Sequence, residues 1–128
     1  MTSNKPTVMI VDDESSVRLL VREILSSVGY RVVEAEDGIQ GHHLMKADPA
    51  DLVITDMVMP DREGIEVIQS LRKEFPSVMI IAISGAFMGD HYLQIAKALG
   101  ADAVLSKPFK SQELIRLVGQ FLPSPQPV

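Results

Sequence analysis

Leu52-Val53-Ile54-Thr55-Asp56-Met57-Val58-Met59-Pro60 is the stretch that organises this chain. An apolar run leads into a single carboxylate, and a turn closes with Pro60. A charged group has no place along such a run, so Asp56 belongs where a strand leaves the core. In open α/β sheets that position points into the crevice where ligands bind.

Working outward from this stretch, the same grammar recurs. Thr7 to Val11 is a β-branched run that ends in Asp12-Asp13. Val17, Leu20, Val21, Ile24, Leu25 and Val28 then follow helical spacing up to Gly29, placed as a C-terminal glycine. Arg31 to Ala35 is a second strand, and Asp37-Gly38 opens a helix that ends before Pro49. Gly38 and Gly41 each cost that helix roughly 1 kcal/mol against alanine if they lie in its interior. Ile39, His42 and Met45 line up along it, which puts His42 on or beside the core face. Asp51 to Thr55 is the third strand, and Gly64 to Phe75 a helix carried by Ile65, Ile68, Leu71 and Phe75. Val78 to Ile83 is apolar on both faces, as a covered parallel strand requires. Tyr92 to Leu99, Asp102 to Ser106 and Gln112 to Leu122 complete the chain as helix, strand and helix. Five strands alternating with five helices imply right-handed crossovers and a parallel sheet. Residues 7–122 form the expected domain, preceded by a disordered 1–6 and followed by a Pro-rich tail or linker start at 123–128, with too little to pack.

Composition narrows the function. With 128 residues and 46% hydrophobic content, the chain is ordinary for one globular domain. A formal net charge of −5 without a basic run disfavours direct nucleic-acid binding. The absence of cysteine excludes disulfides and thiolate chemistry. No signal-peptide core or membrane-spanning run is present, so the expected location is cytoplasmic.

In a parallel sheet all strands end on one edge. Asp12, Asp13, Asp56, Ser84 and Lys107 therefore share a crevice. Three carboxylates together repel, so one pKa should rise unless a cation sits among them. An all-oxygen site without His or Cys suits Mg²⁺ rather than zinc. A carboxylate in such a site can act as a nucleophile toward a phosphoryl group. A metal, a lysine and a hydroxyl are the groups that stabilise that transfer.

These residues carry a resemblance. Val11-Asp12-Asp13-Glu14, Thr55-Asp56-Met57-Val58-Met59-Pro60, Gly64, Ser84-Gly85, Gly100-Ala101-Asp102 and Lys107-Pro108-Phe109 resemble the response-regulator receiver domain, chemotaxis single-domain type, from about Thr7 to Leu122. The resemblance implies a flavodoxin-like doubly wound sheet of strand order 2-1-3-4-5. It also implies a two-component phosphorelay role, in which Asp56 accepts a phosphoryl group from a histidine kinase or phosphotransfer protein and a changed surface then meets a downstream protein partner. Asp13 would ligate Mg²⁺ directly, Asp12 through water, and Val58 through its backbone carbonyl. Lys107 and Ser84 would contact the phosphoryl group, and Lys107-Pro108 would be cis. Such a chain would be a monomer or weak dimer, and no enzyme beyond its own phosphoryl transfer and autodephosphorylation.

Three departures concern output. Val104 stands where the family commonly has Tyr or Phe as an aromatic switch. Gly41 and His42 replace the usual Ala and Leu. The loop after Ser84 is about one residue longer. Val104 supports an alternative, a constitutive protein-binding module without switching. A Mg²⁺-dependent phosphohydrolase is disfavoured because Val58 occupies the place of a general acid. Asp12-Asp13 could also cap a helix, but capping does not account for Asp56 and Lys107 at matching strand ends. His42 and His43 point roughly 100° apart, so they form no ligand pair; His42 reads as partly buried and His43 as solvated.

Overall fold

The computed structural model describes residues 5–57, 63–85 and 89–125. Five strands and five helices alternate: β1 Thr7–Val11, α1 Ser15–Ser27, β2 Arg31–Ala35, α2 Gly38–Ala47, β3 Leu52–Asp56, α3 Glu63–Glu74, β4 Met79–Ser84, α4 Gly89–Leu99, β5 Ala103–Ser106 and α5 Ser111–Phe121. The strands form one parallel sheet in the order β2-β1-β3-β4-β5. β3 and β4 each end one residue later than their sequence patterns suggest, so Asp56 and Ser84 are themselves strand residues. α4 begins three residues before Tyr92.

Alternation along each central strand builds two cores. Val8 and Ile10, Leu52 and Ile54, and Ile81 and Ile83 face one side, where Val21 and Leu25 of α1 and Leu114 and Val118 of α5 cover them. Met9 and Val11, Val53, and Ile80 and Ala82 face the other, under Met45 of α2, Ile68 and Leu71 of α3 and Ala96 of α4. Burying each large aliphatic side chain contributes about 1.5–3 kcal/mol, so both faces of the sheet contribute to stability. Gly29 and Gly100 end α1 and α4 with φ of 101° and 120°, a left-handed turn that glycine adopts without steric cost.

One expectation needs correction. Ile39 is 71% exposed and does not share the core face with Met45. Pro125 lies close to Gly29: a side-chain carbon on that glycine would lie 2.9 Å from Pro125 Cβ. Among the described residues, no helix is long and apolar enough to cross a membrane.

Candidate functional site

Strand register places the carboxylates. Val11 pairs with Thr55, so the next residue on each strand, Asp12 and Asp56, stand side by side. Asp56 pairs with Ile83 across to β4, and Ser84 pairs with Ser106, which puts Lys107 one step beyond. Lys107 N–H donates to the Ser84 carbonyl at 2.7 Å, and Met57 N–H to the Ile83 carbonyl at 2.7 Å, which carries the pairing past the strand ends. The Lys107-Pro108 bond is cis.

The side chains converge. Lys107 Nζ lies 3.0 Å from Asp56 Oδ2 and 4.0 Å from Asp12 Oδ2. Asp12, Asp56 and Ser84 are buried, whereas Asp13 and Glu14 are exposed. Carboxylate oxygens of Asp12, Asp13, Glu14 and Asp56 all lie within 4.8 Å of one another. Glu14 is a member that sequence reasoning missed as a ligand candidate; its adjacency to Asp12-Asp13 was the available signal. Val58, expected to offer its carbonyl, lies outside the described residues, as do Met59, Pro60 and the loop at 86–88.

Asp12 divides its two oxygens between roles. Oδ1 accepts the Glu14 N–H at 2.8 Å, which ties down the entry to α1. Oδ2 is buried and has no hydrogen-bond partner. It faces the Asp56 carboxylate, with the Lys107 ammonium at 4.0 Å, beyond hydrogen-bond reach. Its pKa is raised from 3.8 to about 7, first by burial, against the opposing Glu14 N–H bond, and then by hydrogen bonding to and the charge of Asp56. Charge repulsion, expected to be the main cause, is secondary to desolvation. The Lys107 pKa is also raised. Burial pulls it down, but the hydrogen bond and charge of Asp56, with the charges of Asp12 and Glu14, outweigh that effect. Lys107 therefore stays a cation.

An orphaned buried carboxylate oxygen beside three further carboxylates is the donor set of a hard cation. The residues present fit a small divalent ion with oxygen ligands. Thr55 Oγ1 is buried without a hydrogen-bond partner as well.

Val104 is partly buried against the core that α2, α3 and α4 cover. His42 is partly buried and His43 exposed, as their spacing implies. His42 Nε2 is 2.7 Å from Glu74 Oε2, with Nδ1 3.3 Å from Ser70 Oγ. The pair joins α2 to α3.

Residues 8–119 match the family model for the response regulator receiver domain, and the chain belongs to that family. It is a receiver domain homologous to response regulators of two-component phosphorelays. It is 37% identical over 112 residues to the probable transcriptional regulator ycf27 of Porphyridium aerugineum, covering 86% of this chain and 45% of that protein. It is 30% identical over 116 residues to sporulation initiation phosphotransferase F of Bacillus subtilis, covering 91% and 93%. The solved Vibrio cholerae chemotaxis protein CheY4 superposes with a TM-score of 0.85 at 28% identity, covering 92% of this chain and 99% of that one. The chain thus spans about half the length of the transcriptional regulators it matches and nearly all of the phosphotransferase.

Proposed function

We propose that Asp56 is the phosphoacceptor of a Mg²⁺-dependent switch. The observation that carries this reading is the pairing of buried Asp56 with Lys107 at 3.0 Å inside a cluster of four carboxylates. Asp12, Asp13 and the Val58 carbonyl would hold Mg²⁺ together with Asp56. The ion supplies charge neutralisation for the transferring phosphoryl group. A carboxylate oxygen of Asp56 forms the new P–O bond while the bond from phosphorus to the donor nitrogen breaks and that nitrogen keeps the electron pair. Lys107 then turns from the carboxylate to the phosphoryl oxygens, and the Ser84 hydroxyl donates to them.

The donor is a histidine kinase or a histidine phosphotransfer protein, and the product is a changed surface for a downstream protein in the cytoplasm. The chain turns over no substrate besides its own aspartyl phosphate. A shift of population between two loop arrangements is all the output requires.

The test uses Mg²⁺ and a small-molecule phosphodonor with mass-spectrometric readout. The wild type gains one phosphoryl mass and Asp56→Asn gains none. An equal gain in the variant, or none in the wild type, removes the assignment. In parallel, Lys107→Ala keeps Mg²⁺ binding but loses the conformational response to phosphorylation.

A further inference from the structure

Asp12 is held at three points. Its N–H donates to the Ala35 carbonyl at 3.1 Å. Its Oδ1 accepts from Glu14. Its own backbone carbonyl accepts from Arg18 Nη1 at 2.7 Å, one helical turn into α1. The first bond extends the β1–β2 ladder, and the second turns the carboxylate. The third comes from a side chain that has its own support: Arg18 Nε lies 3.3 Å from Glu34 Oε1, and the Arg18 side chain is only 12% exposed. Glu34 sits on edge strand β2, where alternation turns it toward α1 on the same side as Val32. Its other oxygen takes Arg22 Nη1 at 2.9 Å.

A guanidinium is planar and presents its donors in a fixed fork. With Nε engaged by Glu34, Nη1 is aimed at the Asp12 carbonyl. The peptide plane after Asp12 is thereby set, and with it the start of the Asp12-Asp13-Glu14 turn. We propose that Arg18 is a positioning residue for the acidic site, holding the Asp12 backbone so that Asp12 and Asp13 present their oxygens toward Asp56. This inference rests on reading the site as one that binds Mg²⁺. Arg18 touches no reacting atom and acts through Asp12.

Charge alone predicts the opposite result. A cation beside a carboxylate cluster repels Mg²⁺, so deleting it tightens binding. Positioning predicts weaker binding, because partners that orient metal ligands typically contribute about 10–100-fold to affinity. Arg22 is a built-in control: it shares Glu34, is 56% exposed, and has no bond to Asp12.

The experiment is calorimetric titration of the full chain with Mg²⁺ alone. Arg18→Ala is expected to weaken binding about tenfold, Arg18→Lys about threefold, because lysine reaches one carbonyl but cannot fork, and Arg22→Ala less than twofold. Circular dichroism checks folding of each variant, and Arg18→Lys carries the test if Arg18→Ala does not fold. Affinity unchanged or tightened in the Arg18 variants, or weakened equally in Arg22→Ala, overturns the inference while leaving the site as read. Failure of the wild type to bind Mg²⁺ overturns both.

Discussion

At the residue scale Asp12 is the strained member of the site. Its folded-state pKa lies at about 7 against 3.8 unperturbed. Between those values the folded protein holds a proton that the unfolded chain has released. The metal-free protein therefore loses stability as pH rises from about 4 to 7, and the loss is complete above that window. Asp12→Asn removes this dependence. In EDTA the variant should be more stable than the wild type at pH 8 by about 2–4 kcal/mol, and nearly equal to it at pH 3.5. Urea midpoints at the two pH values test this; a constant difference across the range contradicts it. The positions of Asp12, Asp13, Asp56, Ser84 and Lys107 were legible because each follows an apolar run, and parallel strands share an edge. Arg18 was not legible, since nothing in its spacing signals that a helical arginine reaches back to a backbone carbonyl.

At the level of elements, the strands are more legible in the residue order than α2. Apolar runs bounded by turn residues define a strand locally, and no run differs from its strand by more than one residue at either end. Periodicity along α2 put Ile39 with Met45, yet the buried residues of that helix are Gly41 and Met45. The contact is made by absent side chains: a Cβ at Gly41 would sit 3.2 Å from Val11 Cγ2, and one at Gly38 would sit 2.5 Å from Val67 Cγ2. Hydrophobic patterning has no symbol for a glycine that brings a helix close. Helix propensity predicts that Gly38→Ala stabilises by up to about 1 kcal/mol. The clash with Val67 predicts a net loss of about 1–3 kcal/mol instead. Denaturant unfolding gives the sign.

Arg72 is the corresponding device at the far end of α3. It donates to the carbonyls of Pro76, Val78 and Gly100 and pairs with Asp102, which also accepts the Ile80 N–H. One side chain thus ties α3 to the starts of β4 and β5. Arg72→Ala should cost about 2–4 kcal/mol, because several carbonyls lose a charged donor together. It should leave Asp56 phosphorylation under saturating Mg²⁺ intact, since none of these contacts lies at the acidic site. Equilibrium unfolding and the mass assay separate the two effects.

For the whole molecule, the proposed function makes ligand binding a stability term. Mg²⁺ that binds only the folded state should add about 2.7 kcal/mol at a hundredfold excess over its Kd. A rise in Tm with Mg²⁺, abolished in Asp13→Asn, is the expected result. An equal rise in the variant places the ion elsewhere.

Alternating apolar runs and amphipathic helices are local properties, so the residue order alone determined the parallel sheet, its sequence of elements and the row of polar residues at its carboxyl edge. Strand register and the angle at which each helix lies on the sheet depend on contacts between residues far apart in the chain. Only the tertiary structure could therefore decide that Asp12 stands beside Asp56 with one oxygen unpartnered. The same holds for burial as the main cause of the raised Asp12 pKa, and for Arg18, drawn in by Glu34 on the neighbouring strand, as the residue that holds the turn.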